Sequence, residues 1–189
     1  MIVLQEHAEN IAKALGEGWK RSTRFDETDS SWRAELEGPD NQVLFLSSTW
    51  GGKDRLFISG ELVRYSQSGD LPYGMSRPSI TVSIEKSAQQ VARDITKRLI
   101  PDYLPKLAEV LKRKAERETF ESNRKSLADQ VAEITGGRVK EEMVYTGNWD
   151  LQVSGPESIR VQGHCNYLTL EQLKKINEVC PELFRKAIS

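Results

Sequence analysis

Apolar residues recur at helical spacing near the start of the chain, at Leu4, Ile11, Ala12, Ala14 and Leu15, and Gly16 and Gly18 follow where a left-handed stop is easy. This spacing predicts a helix over residues 4–16. After a polar stretch the pattern changes. Short apolar runs (32–36, 43–46, 56–58) alternate with turns at Gly38-Pro39-Asp40-Asn41 and Trp50-Gly51-Gly52-Lys53-Asp54, which predicts an antiparallel meander. Ile80-Thr81-Val82-Ser83-Ile84 alternates cleanly and adds a strand. Ser87 is placed to cap a helix carrying Val91, Ile95 and Leu99 at spacings of four. Pro101 and Pro105 predict a kink or a brief break, because proline lacks a backbone donor and crowds the preceding turn. Leu107, Val110 and Leu111 resume the stripe, and a charged run of good helix formers extends to Ser122. Leu127, Val131 and Ile134 mark a further helix that stops at Gly136-Gly137. Strands follow near 139–145, 149–154 and 159–163, with a turn at Gly155-Pro156-Glu157. A last helix begins near Thr169 and carries Leu170, Leu173, Ile176 and Val179.

The two halves look alike. Ile11-Ala12-Lys13-Ala14-Leu15-Gly16 answers Val131-Ala132-Glu133-Ile134-Thr135-Gly136, and Trp32 followed by Gly38-Pro39-Asp40 answers Trp149 followed by Gly155-Pro156-Glu157. The competing explanation is coincidence, since a Trp followed by a Gly-Pro turn is a short match. The reading is an α+β chain with two similar units, each a helix, an antiparallel sheet of three or four strands and a helix, joined by a charged helical connector. Its boundaries fall at 1–105 for the first unit, 106–126 for the connector and 127–189 for the second unit.

Composition narrows the class. With 189 residues and 38% hydrophobic positions the chain can bury a core, so general disorder is excluded. Its 27 basic and 28 acidic residues leave a net charge of −1, which argues against a generic polyanion binder and against an acidic DNA mimic. No apolar run approaches the roughly 18–20 residues that cross a bilayer, and the first residues lack a signal pattern. The expectation is a soluble, cytoplasmic protein with no membrane partner. Locally the charge is uneven, with eleven basic against six acidic residues over 86–125. Arg93, Lys97, Arg98, Lys112, Arg113, Lys114 and Arg117 are the candidate contacts to phosphates or to an acidic protein surface. The alternative is a solvated helix face laced with pairs such as Glu109 with Arg113.

Chemistry-bearing residues are few. The two histidines, His7 and His164, and the two cysteines, Cys165 and Cys180, lack the paired spacing of structural zinc sites, so no metal site is expected. No glycine-rich phosphate loop and no nucleophile or zinc-protease motif occurs. Asp26, Glu27 and Asp29, and Glu141 with Glu142, read as solvated charge rather than acid–base pairs. The expectation is a protein without cofactor or catalytic residues. The segment from Arg64 to Ser79 is longer than a hairpin needs, and loops of that kind are often functional. Arg64, Tyr65, Tyr73 and Arg77 are therefore the candidate partner-binding residues, since Tyr and Arg are favoured in interface cores. The alternative is an ordinary crossover with both tyrosines packed on the sheet.

Arg77-Pro78-Ser79-Ile80-Thr81-Val82-Ser83, together with Ala92-Arg93-Asp94-Ile95, Arg98-Leu99-Ile100-Pro101-Asp102-Tyr103 and the earlier Trp32-Arg33-Ala34-Glu35-Leu36, resembles uncharacterised small accessory proteins encoded by bacteriophages and prophages. The likeness covers roughly residues 5–110 and brings no catalytic residue with it. It implies a mobile-element context and, by association, stoichiometric binding that inhibits a host defence complex, as anti-CRISPR proteins do. A host protein or ribonucleoprotein complex is the partner this implies. The alternative function is a nucleic-acid-binding module using the basic helix and sheet faces. Its helix–strands–helix plan resembles double-stranded-RNA-binding domains in outline, although no Lys-rich helix start follows the last strand of either half. A third reading is self-association through the stripe at Leu104, Leu107 and Leu111.

Overall fold

The alternating runs of the first half form a five-stranded antiparallel sheet in simple sequential order. Its strands are β1 (Lys20–Arg21), β2 (Arg33–Glu37), β3 (Val43–Ser47), β4 (Arg55–Gly60) and β5 (Ser79–Ser83). The computed structural model describes residues 4–25, 32–48, 54–62, 70–141, 143–145, 150–156, 158–162 and 169–179. The chain is α+β and divides into two compact units, Met1–Lys114 and Ala115–Ser189. Among the described residues no helix is long and apolar enough to cross a membrane.

In the first unit the period of two puts Ala34, Leu36, Leu44, Leu46, Leu56, Ile58, Ile80 and Val82 on one face, and all are buried. Cross-strand register lines up Ala34, Leu46, Ile58 and Ile80 as one continuous row across four strands. The β2–β3 hairpin turns at Asp40 and Asn41, both at positive φ, where the short polar side chains of these residue types are tolerated. Gly38 N–H donates to the Gln42 carbonyl at 2.8 Å and closes it. Helix α1 (Leu4–Leu15) lays Leu4, Ala8, Ile11 and Ala12 on the apolar face. Helix α2 (Ala88–Asp94) starts with a reciprocal capping box between Ser87 and Gln90.

Of the kink or brief break expected at Pro101 and Pro105, the break does not occur. A π-helical turn at Ile95–Leu99 joins α2 directly to α3 (Ile100–Thr135), which runs 36 residues straight through Pro105. The reason lies in the core stripe. Val91, Ile95, Leu99, Tyr103 and Leu107 are all buried at successive spacings of four, and an α-helix rotates such residues by about 40° per step. The wider π turn reverses part of that drift, so the stripe stays on the sheet. It also falls just before Pro101, where the backbone lacks a donor. The expected connector is thus the middle of one continuous helix.

Tyr103 locks this helix to the sheet. Its side chain is wholly buried, its hydroxyl accepts from Val43 N–H at 2.9 Å and donates to the Glu61 carbonyl at 3.1 Å. The ring lies over Gly60, where any Cβ would collide with it.

The second unit contains the C-terminal part of α3, a four-stranded antiparallel sheet and α4 (Leu170–Val179). Its strands are β6 (Arg138–Lys140), β7 (Met143–Tyr145), β8 (Asp150–Gly155) and β9 (Ser158–Gln162). Helix α3 ends at Gly136, φ +69, with Gly137 N–H donating back to the Ala132 carbonyl at 3.0 Å. Leu127, Ala128 and Val131 from α3 meet Val144, Leu151, Val153 and Ile159 from the sheet and Ile176 from α4. The expected single strand over 139–145 is instead a hairpin, because Glu141 at φ +55 reverses the chain. The expected three or four strands per sheet become five and four, since β1 adds a two-residue edge to the first. Both Gly-Pro turns close hairpins, yet three strands follow the first and one follows the second.

Tyr103→Phe keeps the ring but leaves the buried Val43 N–H unpaired, and should cost about 1–3 kcal/mol. Gly60→Ala should cost at least as much by forcing the ring out of place. Urea denaturation followed by circular dichroism checks both, and an unchanged midpoint for Tyr103→Phe would show that the hydroxyl holds nothing.

Candidate functional site

The loop between β4 and β5 is held at both ends. Gly60 N–H donates to the Pro78 carbonyl at 2.9 Å, and Arg77 pairs with Glu61 at 3.3 Å. Leu71 and Met75 pack on the first core, and Asp70 is buried. Between them Pro72-Tyr73-Gly74-Met75 forms a tight turn, with Met75 N–H on the Pro72 carbonyl at 3.0 Å and Gly74 at φ +79. Tyr73 sits at its apex and is fully exposed, 109% of its reference surface. The alternative that Tyr73 packs on the sheet is thereby excluded. Arg77 faces its own carboxylate, so it braces the loop while remaining part of its surface. Arg64 and Tyr65 lie outside the described residues, as do Asp26, Glu27, Asp29, Glu142, His164, Cys165 and Cys180.

The basic stretch separates into two groups. Arg113 pairs with Glu109 at 3.1 Å and Arg117 with Glu121 at 3.0 Å, both four residues apart along α3. Their charge is largely answered on the helix itself. Lys112 is exposed and Lys114 half-buried, and each has interactions of its own. Arg93, Lys97 and Arg98 are exposed on α2 and the π turn and carry no ion pair among the described residues. They are the more available cations of the set. In the proposed self-association stripe, Leu107 is in the first core and Leu111 packs against it, while Leu104 is 39% exposed.

The hairpin at Glu141 creates a surface that a single strand would not have. Read as one strand, Arg138 and Lys140 face away from Met143 and Tyr145. Folded back, the register sets Arg138 opposite Tyr145 and Lys140 opposite Met143, all on one face, while Val144 goes to the core. Arg138, Lys140 and Tyr145 are exposed. None of them is among the candidates that the linear pattern singles out. The Arg-x-Lys alternation in β6 is the available signal, and only the turn at Glu141 reveals which face it joins.

A shallow cleft of about 680 Å³ lies between α1 and the β5–α2 turn, lined by His7, Asn10, Lys13, Glu85, Lys86 and Ser87 among others. His7 Nε2 is buried there with no hydrogen-bond partner among the described residues. Burial holds the His7 pKa below its ordinary value, because the imidazolium form loses solvation. Below the unfolded pKa of about 6.5 the unfolded chain takes up the proton more readily. The contribution to stability is therefore complete above that pH and is lost as pH falls toward the lowered folded value. Unfolding midpoints at near-neutral and mildly acidic pH should drop more for the native chain than for His7→Gln. Equal drops would show that His7 titrates the same in both states.

Comparison with protein-family models, with curated proteins and with solved structures finds no match to this chain.

Proposed function

We propose that the chain is a non-catalytic binding protein that docks stoichiometrically on a host protein or ribonucleoprotein complex through the loop around Tyr73. The observation that carries this reading is the fully exposed Tyr73 on a turn whose flanks are anchored. Displaying a large, amphipathic ring in water forgoes the burial it would have gained. A turn held by the packing of Leu71 and Met75 that does so offers a contact that needs little further ordering of those residues on association. Arg77 at the loop base supplies a neighbouring polar contact, and Tyr and Arg are the residue types most often dominant in interfaces. The narrower form, inhibition of a host defence complex as anti-CRISPR proteins perform it, rests on the resemblance to bacteriophage proteins and makes such complexes the first partners to test.

The exposed Arg93, Lys97 and Arg98 support a second reading, in which this surface follows a phosphate backbone. We also read the two units as diverged copies of one helix–meander–helix plan. Both final helices open with a reciprocal Ser/Thr–Gln cap, Ser87 with Gln90 and Thr169 with Gln172. The first unit then carries two extra strands after its Gly-Pro turn.

Tagged native chain and Tyr73→Ala, each incubated with bacterial lysate with and without nuclease, test the loop. A defined complex that survives nuclease should be captured by the native chain and weakened more than tenfold by Tyr73→Ala, at unchanged melting temperature. Retention of the complex by Tyr73→Ala would overturn the loop reading, and loss of all captured proteins on nuclease treatment would favour the phosphate-tracking surface.

A further inference from the structure

We propose that the solvent face of the second sheet binds single-stranded nucleic acid, with Tyr145 as the platform for a base and Arg138 and Lys140 as the phosphate contacts. This goes beyond the loop reading and does not depend on it, since every residue involved belongs to the second unit.

The sheet has two unlike faces. One carries Val144, Leu151, Val153 and Ile159 into the core. On the other, register sets out two rows across the four strands. Among residues whose side chains are described, the first row holds Arg138 and Tyr145, and the second holds Lys140, Met143 and Gln152. Arg138 and Lys140 are the charged side chains described in these rows, and both are basic, in a chain whose net charge is −1. All of β6 is exposed, and Tyr145 keeps 41% of its surface in water. Arg138 and Lys140 carry no ion pair among the described residues, in contrast to Arg113 and Arg117 on α3.

Basic residues on an edge strand also discourage edge-to-edge pairing of sheets. That role needs no aromatic ring directly beside the cation. A ring exposed next to a guanidinium on a twisted sheet is instead the arrangement on which unpaired bases stack while their phosphates meet cations at the rim. A duplex keeps its bases stacked within itself and would leave Tyr145 unused. The occupant that uses both the ring and the charge is therefore a single strand.

Fluorescence anisotropy of the full chain with labelled oligo(U), oligo(dT) and a duplex of the same length tests this. Binding of either single strand, tighter than the duplex and weakening steeply between about 50 and 200 mM salt, is the expected result. The two oligonucleotides separate RNA from DNA as the source of the strand. Tyr145→Ala should lose about tenfold in affinity while Tyr145→Phe retains it, since stacking needs the ring and not the hydroxyl. Arg138→Gln combined with Lys140→Gln should lower the slope of log affinity against log salt by roughly 0.7 for each phosphate that no longer meets a cation. The positions are on the solvent face, and a circular dichroism melt confirms folding of each variant. Native affinity in Tyr145→Ala, duplex binding as tight as single-strand binding, or equal competition by polyglutamate would each overturn the proposal.

Discussion

The first unit depends on one side chain that reaches through its core to the backbone of two strands. The Tyr103 hydroxyl takes up the Val43 N–H at the start of β3 and gives its proton to the Glu61 carbonyl just after β4. Buried backbone groups left without partners are costly, so these contacts fix where the strands begin and end as well as holding the helix down. The ring fits because residue 60 is glycine, and with it in place the row Ala34, Leu46, Ile58 and Ile80 is covered. The loop that leaves β4 starts at this anchored point. Its far end returns to the same point, where Gly60 N–H donates to the Pro78 carbonyl.

The same constraint shapes the surface of the helices. Keeping Val91, Ile95, Leu99, Tyr103 and Leu107 on the sheet requires the π turn at Ile95–Leu99. Lys97 and Arg98 on the π turn, and Arg93 just before it on α2, are exposed and carry no ion pair among the described residues. Farther along α3 the regular spacing of four brings Glu109 to Arg113 and Arg117 to Glu121. Basic residues that look equivalent in sequence therefore differ in the charge they present. Intrahelical pairs are individually weak, yet they reduce the field that a phosphate or an acidic partner would meet.

Surface chemistry in the second unit follows from a turn. Glu141 at positive φ folds one apolar–polar run onto itself, which moves Arg138 and Lys140 to the face of Met143 and Tyr145. A one-residue change of register in such a hairpin would exchange the faces and put Val144 in water. Burial of Val144, Leu151 and Val153 against α3 is what selects the observed register. The exposed loop belongs to the first unit and the face of Arg138 and Lys140 to the second, on a chain whose net charge is close to zero.

Much of this was legible from local pattern. The capped start at Ser87, the stripe of spacing four, the alternation at Ile80–Val82 and the stop at Gly136 depend on neighbours within a few residues, so the α+β class and most elements can be read from the residues alone. The length of the segment before Ser79 likewise marks Tyr73 and Arg77 within a loop too long for a hairpin. Other features depend on packing between distant segments. Pro101 and Pro105 read as a kink or a brief break, but the helix does not break there, because the buried stripe on either side of them gains more from continuing on one sheet than the missing donors cost. Tyr103 and Leu104 are adjacent, and only the position of Gly60 under the helix makes the first a core residue and leaves the second partly in water. Strand pairing also joins residues far apart along the chain. Whether Lys140 shares a face with Met143, or Arg77 meets Glu61, is settled by register and burial across the whole sheet, which no short window of sequence contains.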